Sequence, residues 1–146
     1  MSYSLDANIL LYASDASSPQ HATAKTFLAR RQGAPDILCL TWLTLMSYIR
    51  ISTHDRIFQN PLPPESAWKN VRNLLALPRV RLIGESDGFT DAYGQVTGSQ
   101  VVRGNLVPDA QLATILYQHG VTTLYTADRD FCKFPNLKVV DPFQST

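Results

Sequence analysis

The chain has 146 residues, which predicts a single domain spanning residues 1–146 with enough sequence for one well-filled hydrophobic core. Its net charge of +1 gives no sign of a nucleic-acid-binding protein that relies on bulk positive charge. No apolar run reaches membrane-spanning length and no signal peptide is evident, so we expect a cytoplasmic protein without membrane association.

Short apolar runs along the chain predict five β-strands. Turn residues or polar residues bound each run, and most of the runs are continuously apolar. Continuous apolar strands are typical of parallel sheets, because such sheets are buried on both faces. The predicted strands are residues 2–5, 37–40, 80–83, 122–125 and 137–140.

Helical periodicity fills most segments between these strands. The predicted helices are residues 21–31, 41–53, 64–77 and 108–119. Residues 86–100 keep a helical period that three glycines weaken, and residues 60–64 and 103–107 are predicted loops. Strands that alternate with helices predict a three-layer α/β/α fold around a mainly parallel sheet of four to five strands.

Three aspartates stand at the ends of predicted apolar segments. Asp6 follows the first strand, Asp128 follows the fourth, and Asp109 follows Pro108 at the start of a helix. In an α/β protein, binding sites form at the carboxyl ends of the strands. Carboxylates gathered there repel one another and favour a hard divalent cation.

Each aspartate alone has an ordinary structural explanation. Asp109 could be a partner of the helix dipole, and Asp128 with Asp130 could cap the short segment 131–133. Only the coincidence of three carboxylates at matching structural positions favours a catalytic site.

The segments that carry these aspartates resemble a known family. The chain is similar to PIN-domain ribonucleases, and specifically to the VapC toxins of VapBC toxin–antitoxin systems. The resemblance covers essentially the whole chain, and the segments Asn-Leu-Val-Pro-Asp-Ala and Thr-Ala-Asp-Arg-Asp-Phe are specific in combination. The matching segments are residues 4–12, 42–53, 103–110 and 126–131.

The resemblance implies a Mg²⁺- or Mn²⁺-dependent endoribonuclease in which metal-activated water hydrolyses an RNA phosphodiester bond. It implies an RNA substrate, with tRNA as the preferred candidate. It also implies a homodimer and a VapB-like antitoxin whose C-terminal segment enters a groove near the site. The first helices are expected to line that groove.

The resemblance also assigns roles by position. Asp6 and Asp109 match the principal metal ligands of the family, and Asp128 matches the acid after the fourth strand. Groups that would orient these ligands are Asn8, Thr126 and Asp130. Arg50 and Arg103 could hold an RNA phosphate or form surface salt bridges, and the sequence leaves both alternatives open.

One position departs from the family pattern. The family usually has a glutamate on the second predicted helix where this chain has Ser47, about one turn before Arg50. Serine is neutral and cannot supply the missing negative charge, although it could hold a metal-bound water. A working variant would use three aspartates or recruit Asp130. The alternative is a weakened PIN module that binds RNA or antitoxin without efficient cleavage.

A different phosphate chemistry is a third hypothesis. A haloacid-dehalogenase-like phosphatase also places an aspartate after its first strand. The segment Asp6-Ala7-Asn8 lacks the second aspartate that such a site needs, so this hypothesis ranks last.

Overall fold

The computed structural model describes residues 1–144, and its centre is one parallel β-sheet. The strands are β1 (Ser2–Leu5), β2 (Ile37–Leu40), β3 (Val80–Leu82), β4 (Thr123–Tyr125) and β5 (Lys138–Val140). They lie in the order β3-β2-β1-β4-β5, and all four neighbouring pairs are parallel. The prediction of an α/β fold with a parallel sheet of about five strands is therefore confirmed.

Helices connect the strands and cover both faces of the sheet. They are α1 (Ala7–Ser14), α2 (His21–Gly33), α3 (Trp42–Ser52), α4 (Pro64–Leu75), α5 (Phe89–Thr97) and α6 (Leu106–Gln118), and a short 3-10 helix spans Arg129–Lys133. Among residues 1–144, no helix is both long and apolar enough to cross a membrane.

Side chains of β2 show how the two faces are filled. Successive residues of a strand point to opposite faces, so Leu38 and Leu40 pack into a core with α1, α3 and α4. Cys39 points the other way, into a second core with α5, α6 and the 3-10 helix. Two cores on opposite faces confirm the predicted three-layer arrangement.

Helix α1 was not predicted. It begins directly after Asp6, whose Oδ1 accepts a 2.7 Å hydrogen bond from the Ala7 N–H and so caps the helix. Its residues are apolar at nearly every position, and Ile9 and Leu10 are buried in the first core. A segment in which only Asn8 and Ser14 are polar shows no clear helical period, and for that reason the sequence pattern did not reveal it.

Helix α6 begins two residues earlier than predicted. The predicted loop over 103–107 is therefore wrong at residues 106 and 107, which belong to the helix. The helix starts at Leu106, and Pro108 is its third residue. The first N–H groups of a helix have no partner inside the helix, so proline costs no hydrogen bond there.

Helix α5 forms despite the glycines in its sequence. Gly88 and Gly98 lie at its two ends, with positive φ of +79° and +56°, which glycine adopts more readily than other residues. Only Gly94 lies inside the helix.

Candidate active site

The carboxyl ends of β1 and β4 bring Asp6 and Thr126 together. The two strands are neighbours with Leu5 paired to Tyr125, so the next residues of both strands meet at the same edge. The Thr126 hydroxyl donates a 2.7 Å hydrogen bond to Asp6 Oδ2, and the Asp6 N–H donates to the Tyr125 carbonyl at 3.0 Å.

Asn8, in the first turn of α1, completes this arrangement. Its Nδ2 lies 3.2 Å from both Asp6 Oδ2 and the Thr126 hydroxyl oxygen, and its Oδ1 accepts from the Ala127 N–H at 3.4 Å. The carboxylate of Asp6 therefore accepts hydrogen bonds from Ala7, Asn8 and Thr126 and is held in one orientation.

Three further carboxylates gather beside this pair. One oxygen from each of Asp109, Asp128 and Asp130 lies within 4.8 Å of the others, and we call these three residues the acidic trio. Asp109 projects from the first turn of α6. Asp128 caps the 3-10 helix by accepting a 2.9 Å hydrogen bond from the Asp130 N–H. Asp109 and Asp128 are half-buried, and Asp130 is exposed.

Asp6 lies close enough to the acidic trio to interact with it. Asp6, Asp109 and Ser47 border one small pocket of about 60 Å³. Burial raises the pKa of Asp6, with a smaller contribution from the charge of Asp128, and hydrogen bonds from Thr126 and Ala7 oppose the change. We call Asp6 and the acidic trio together the acidic cluster.

The charge of this cluster acts most strongly on Asp109. Burial first, and then the negative charges of Asp128, Asp6 and Asp130, raise the pKa of Asp109 to about 7. Lys133 opposes this effect because its positive charge lies nearby. Repulsion of this kind favours the binding of a cation.

Known proteins resemble the chain over nearly its full length. It is 38% identical to Ribonuclease VapC48 of Mycobacterium tuberculosis over 143 residues, which cover 98% of this chain and 99% of that protein. No protein-family model matches the chain. The chain belongs to the VapC ribonuclease family, the toxins of VapBC toxin–antitoxin systems.

Solved VapC structures share the fold. The structure of VapBC-1 from nontypeable Haemophilus influenzae superposes with a TM-score of 0.68 at 18% identity and covers 99% of this chain and 100% of that one. VapC20 of Mycobacterium tuberculosis, described as a Sarcin-Ricin loop cleaving toxin, gives a TM-score of 0.61 at 18% identity over 89% of this chain and 92% of that one.

The donors of the acidic cluster fit the divalent cation expected of a VapC protein. All are carboxylate oxygens, which Mg²⁺ and Mn²⁺ prefer over nitrogen or sulfur ligands. Three of the donors are already within 4.8 Å of one another, which is close enough to share one ion. The trio nonetheless differs from the ligand pair expected from the sequence, because it contains Asp130 and does not contain Asp6.

Ser47 occupies the place expected for the family glutamate. It lines the small pocket with Asp6 and Asp109, and it also lines a neighbouring groove of about 510 Å³. Arg50 is exposed on that groove and does not border the small pocket. Arg50 and the carboxylates of Asp6 and Asp109 thus border different pockets, and Ser47 lines both.

Sequence reasoning overlooked Lys133. Its Nζ lies 3.5 Å from an Asp130 carboxylate oxygen, one turn along the 3-10 helix. The spacing of three residues between opposite charges was the signal that could have revealed this pair.

Proposed function

We propose that the chain is a Mg²⁺- or Mn²⁺-dependent endoribonuclease that hydrolyses RNA phosphodiester bonds. The observation that carries this proposal is the acidic trio, with Asp6 beside it, at the carboxyl edge of the sheet in a member of the VapC family. Strand ends of α/β folds are where such sites form.

In this proposal the carboxylates of Asp109 and Asp128 hold the ion, together with Asp6 and Asp130. A bound divalent ion supplies two kinds of chemistry, the activation of water and the stabilisation of charge on the phosphate. These carboxylates would hold the ion at the carboxyl ends of the strands, where the exposed Asp130 would leave the site accessible to RNA.

The neighbours of Asp6 contribute by fixing its position. Thr126 and Asn8 hold one carboxylate oxygen of Asp6, and the Ala7 N–H holds the other. Groups that orient metal ligands typically change metal affinity or activity by about 10- to 100-fold when they are removed. We therefore assign Asn8 and Thr126 to the orientation of Asp6.

Asp130 could replace the carboxylate that the family glutamate would supply. Its carboxylate lies with those of Asp109 and Asp128, whereas Ser47 offers only a neutral hydroxyl on the pocket. This supports a working site that recruits Asp130. The second candidate is a weakened module that binds RNA or antitoxin without efficient cleavage, and Ser47 is the observation that favours it.

RNA cleavage with purified protein tests the proposal. The wild-type protein is expected to cut RNA in Mg²⁺ or Mn²⁺ and to stop when EDTA is added. Asp6→Asn and Asp109→Asn are expected to lose at least 100-fold in rate, since each removes a carboxylate from the site. The exposed Asp87→Asn, outside the cluster, is the matched control. If Asp6→Asn and Asp109→Asn cut as fast as the control, the assigned site is wrong.

For the substrate we propose structured RNA, with tRNA first. VapC20, which shares the fold, is described as cleaving the Sarcin-Ricin loop, so a ribosomal RNA loop is the competing target. Sequencing the 5′ ends of RNAs after the protein is induced in cells would distinguish the two. Ends that map to tRNA support our proposal, and ends confined to ribosomal RNA contradict it.

The partner that we propose is a VapB-like antitoxin. The chain belongs to the toxins of VapBC toxin–antitoxin systems, and a solved structure of VapBC-1 has the same fold. An apolar pocket of about 270 Å³ lies between the first four helices, with Leu10, Leu28 and Leu74 in its walls. Ala13→Trp would fill this pocket and is expected to weaken antitoxin binding in pull-down or calorimetry. Ala16→Trp, exposed outside the pocket, should bind normally.

We also propose a homodimer. The exposed side chains Trp42 (44%) and Met46 (48%) lie together along the 510 Å³ groove, and burial of such apolar surface favours association. Met46→Glu is expected to shift sedimentation toward monomer. Val101→Glu, at another exposed apolar position, is the control.

A further inference from the structure

Lys133 is placed at the edge of the acidic cluster. It is the last residue of the 3-10 helix that Asp128 caps, and its Nζ lies 3.5 Å from the Asp130 carboxylate. Among the ion pairs formed by residues 1–144, this is the one that involves the acidic cluster. Its charge also lowers the pKa of Asp109, so its field reaches the centre of the cluster.

The backbone of Lys133 is held by a hydrogen bond, whereas its side chain is more than half exposed. Gln100 Nε2 donates a 2.7 Å hydrogen bond to the Lys133 carbonyl, and the flanking Phe131 and Phe134 are fully buried. The lysine side chain itself is 53% exposed. Rotation about its side-chain bonds can therefore move the ammonium group without any change in the fold.

The balance of charge at the site requires a nearby cation. The charges of Asp6, Asp128 and Asp130 all act on Asp109, and one divalent ion neutralises only half of the charge when these four carboxylates are ionised. The remaining negative charge would repel an RNA phosphate. A basic side chain beside the carboxylates would offset this repulsion, and Lys133 lies 3.5 Å from the Asp130 carboxylate.

We propose that Lys133 is the counter-ion of the acidic cluster in the metal-free protein, and that it turns to the scissile RNA phosphate when a divalent cation occupies the carboxylates. Lys133 is thus a phosphate-binding residue of the site. The phosphate-binding role rests on the proposed ribonuclease function. The counter-ion role concerns only the metal-free protein.

The variant Lys133→Met tests both roles. Removal of the counter-ion is expected to tighten Mg²⁺ binding about two- to fivefold in calorimetry at pH 8, because exposed ion pairs contribute up to about 1 kcal/mol. At saturating Mg²⁺ the same variant is expected to cut RNA at least tenfold more slowly. The RNA affinity of this variant should also depend less steeply on salt. In a plot of log affinity against log salt concentration, the slope should be smaller in magnitude by about one.

Two further variants make the comparison specific. Lys133→Arg keeps the charge and should restore both metal affinity and cleavage toward wild-type values. Lys138→Met removes an exposed lysine from the amino-terminal end of β5, at the end of the parallel strands that lies opposite the site, and should change neither. Thermal unfolding of each variant checks that the fold is kept.

The possible outcomes separate the two proposals. If Lys133→Met binds Mg²⁺ no more tightly than wild type, the counter-ion role is wrong. If it cuts RNA as fast as Lys138→Met, the phosphate role is wrong. If the wild-type protein cuts no RNA, the proposed function and the phosphate role both fail, and the calorimetric comparison alone decides the counter-ion role.

Discussion

The hydroxyl of Thr126 joins Asp6 across 120 residues of sequence, through a 2.7 Å hydrogen bond to Oδ2. The same hydroxyl oxygen accepts a 2.9 Å hydrogen bond from the Asp128 N–H. One buried side chain therefore connects the carboxylate after β1 to the loop that carries Asp128 and Asp130. The relative position of Asp6 and the acidic trio depends on this threonine.

Thr126→Val is expected to damage the site more than the fold. It keeps the shape of the side chain but removes the donor to Asp6 and leaves the Asp128 N–H without its hydroxyl partner. We expect a loss of about 1–3 kcal/mol in the free energy of unfolding and a 10- to 100-fold loss in Mg²⁺ affinity. Urea unfolding and calorimetry measure the two effects.

Thr114→Val is the matched control for this substitution. Thr114 is also fully buried, but its hydroxyl donates only to the Ala110 carbonyl within α6. Its loss should lower stability without any effect on metal affinity. Equal metal affinity in Thr126→Val and Thr114→Val would contradict the role assigned to Thr126.

Asp109 is expected to make the metal-free protein less stable as pH rises. Its pKa is about 7 in the folded protein and 3.8 ordinarily, so the folded state binds its proton more tightly than the unfolded state. Stability is thus lost between about pH 4 and pH 7 and stays low above pH 7. Asp109→Asn should remove this loss. It should raise the free energy of unfolding at pH 8 by about 1–2 kcal/mol, after allowance for solvent screening of a half-exposed group.

Urea unfolding in EDTA at pH 4 and pH 8 tests this expectation. Asp91→Asn is a suitable control, because Asp91 also lies in the first turn of a helix, α5, but outside the acidic cluster. If Asp109→Asn raised the free energy of unfolding equally at both pH values, the charge of Asp109 would not be the cause of the increase.

Metal binding should depend on pH in the opposite direction. A proton on Asp109 must leave before the carboxylate binds a cation, so protons compete with Mg²⁺ below pH 7. We expect the apparent affinity to fall toward about tenfold per pH unit between pH 7 and pH 5 and to change little above pH 8. Calorimetry over this range would contradict the assignment of Asp109 if the affinity were constant.

Much of this fold was predictable from residue patterns, and the exceptions have local causes. The five strands were visible because their apolar runs are interrupted by polar segments, whereas α1 was hidden because only Asn8 and Ser14 in it are polar. The grouping of Asp109 with Asp130 was not predictable. It depends on the turn that the Asp128 side chain makes with the Asp130 N–H, and on how that turn packs against α6.

Asp130→Asn tests whether this exposed residue is recruited to the metal. It removes one of three carboxylates that lie within 4.8 Å of one another, and we expect about a tenfold loss in Mn²⁺ affinity by electron paramagnetic resonance. Asp55→Asn removes another exposed aspartate, outside the acidic cluster, and should bind Mn²⁺ normally. Unchanged binding in Asp130→Asn would leave the site with only the three aspartates expected from the sequence.

Ser47→Glu asks whether the missing glutamate has been replaced. The new carboxylate would enter the pocket that Asp6 and Asp109 border, so it should lower the stability of the metal-free protein by about 1–2 kcal/mol at pH 8. If Asp130 already completes the site, Mg²⁺ affinity should rise less than tenfold and the cleavage rate should change less than threefold. Ser66→Glu, the same change at an exposed position of α4, controls for added charge. A rise of 100-fold in both affinity and rate would instead identify Ser47 as a defect, because only a site that lacks a ligand can gain so much from one carboxylate.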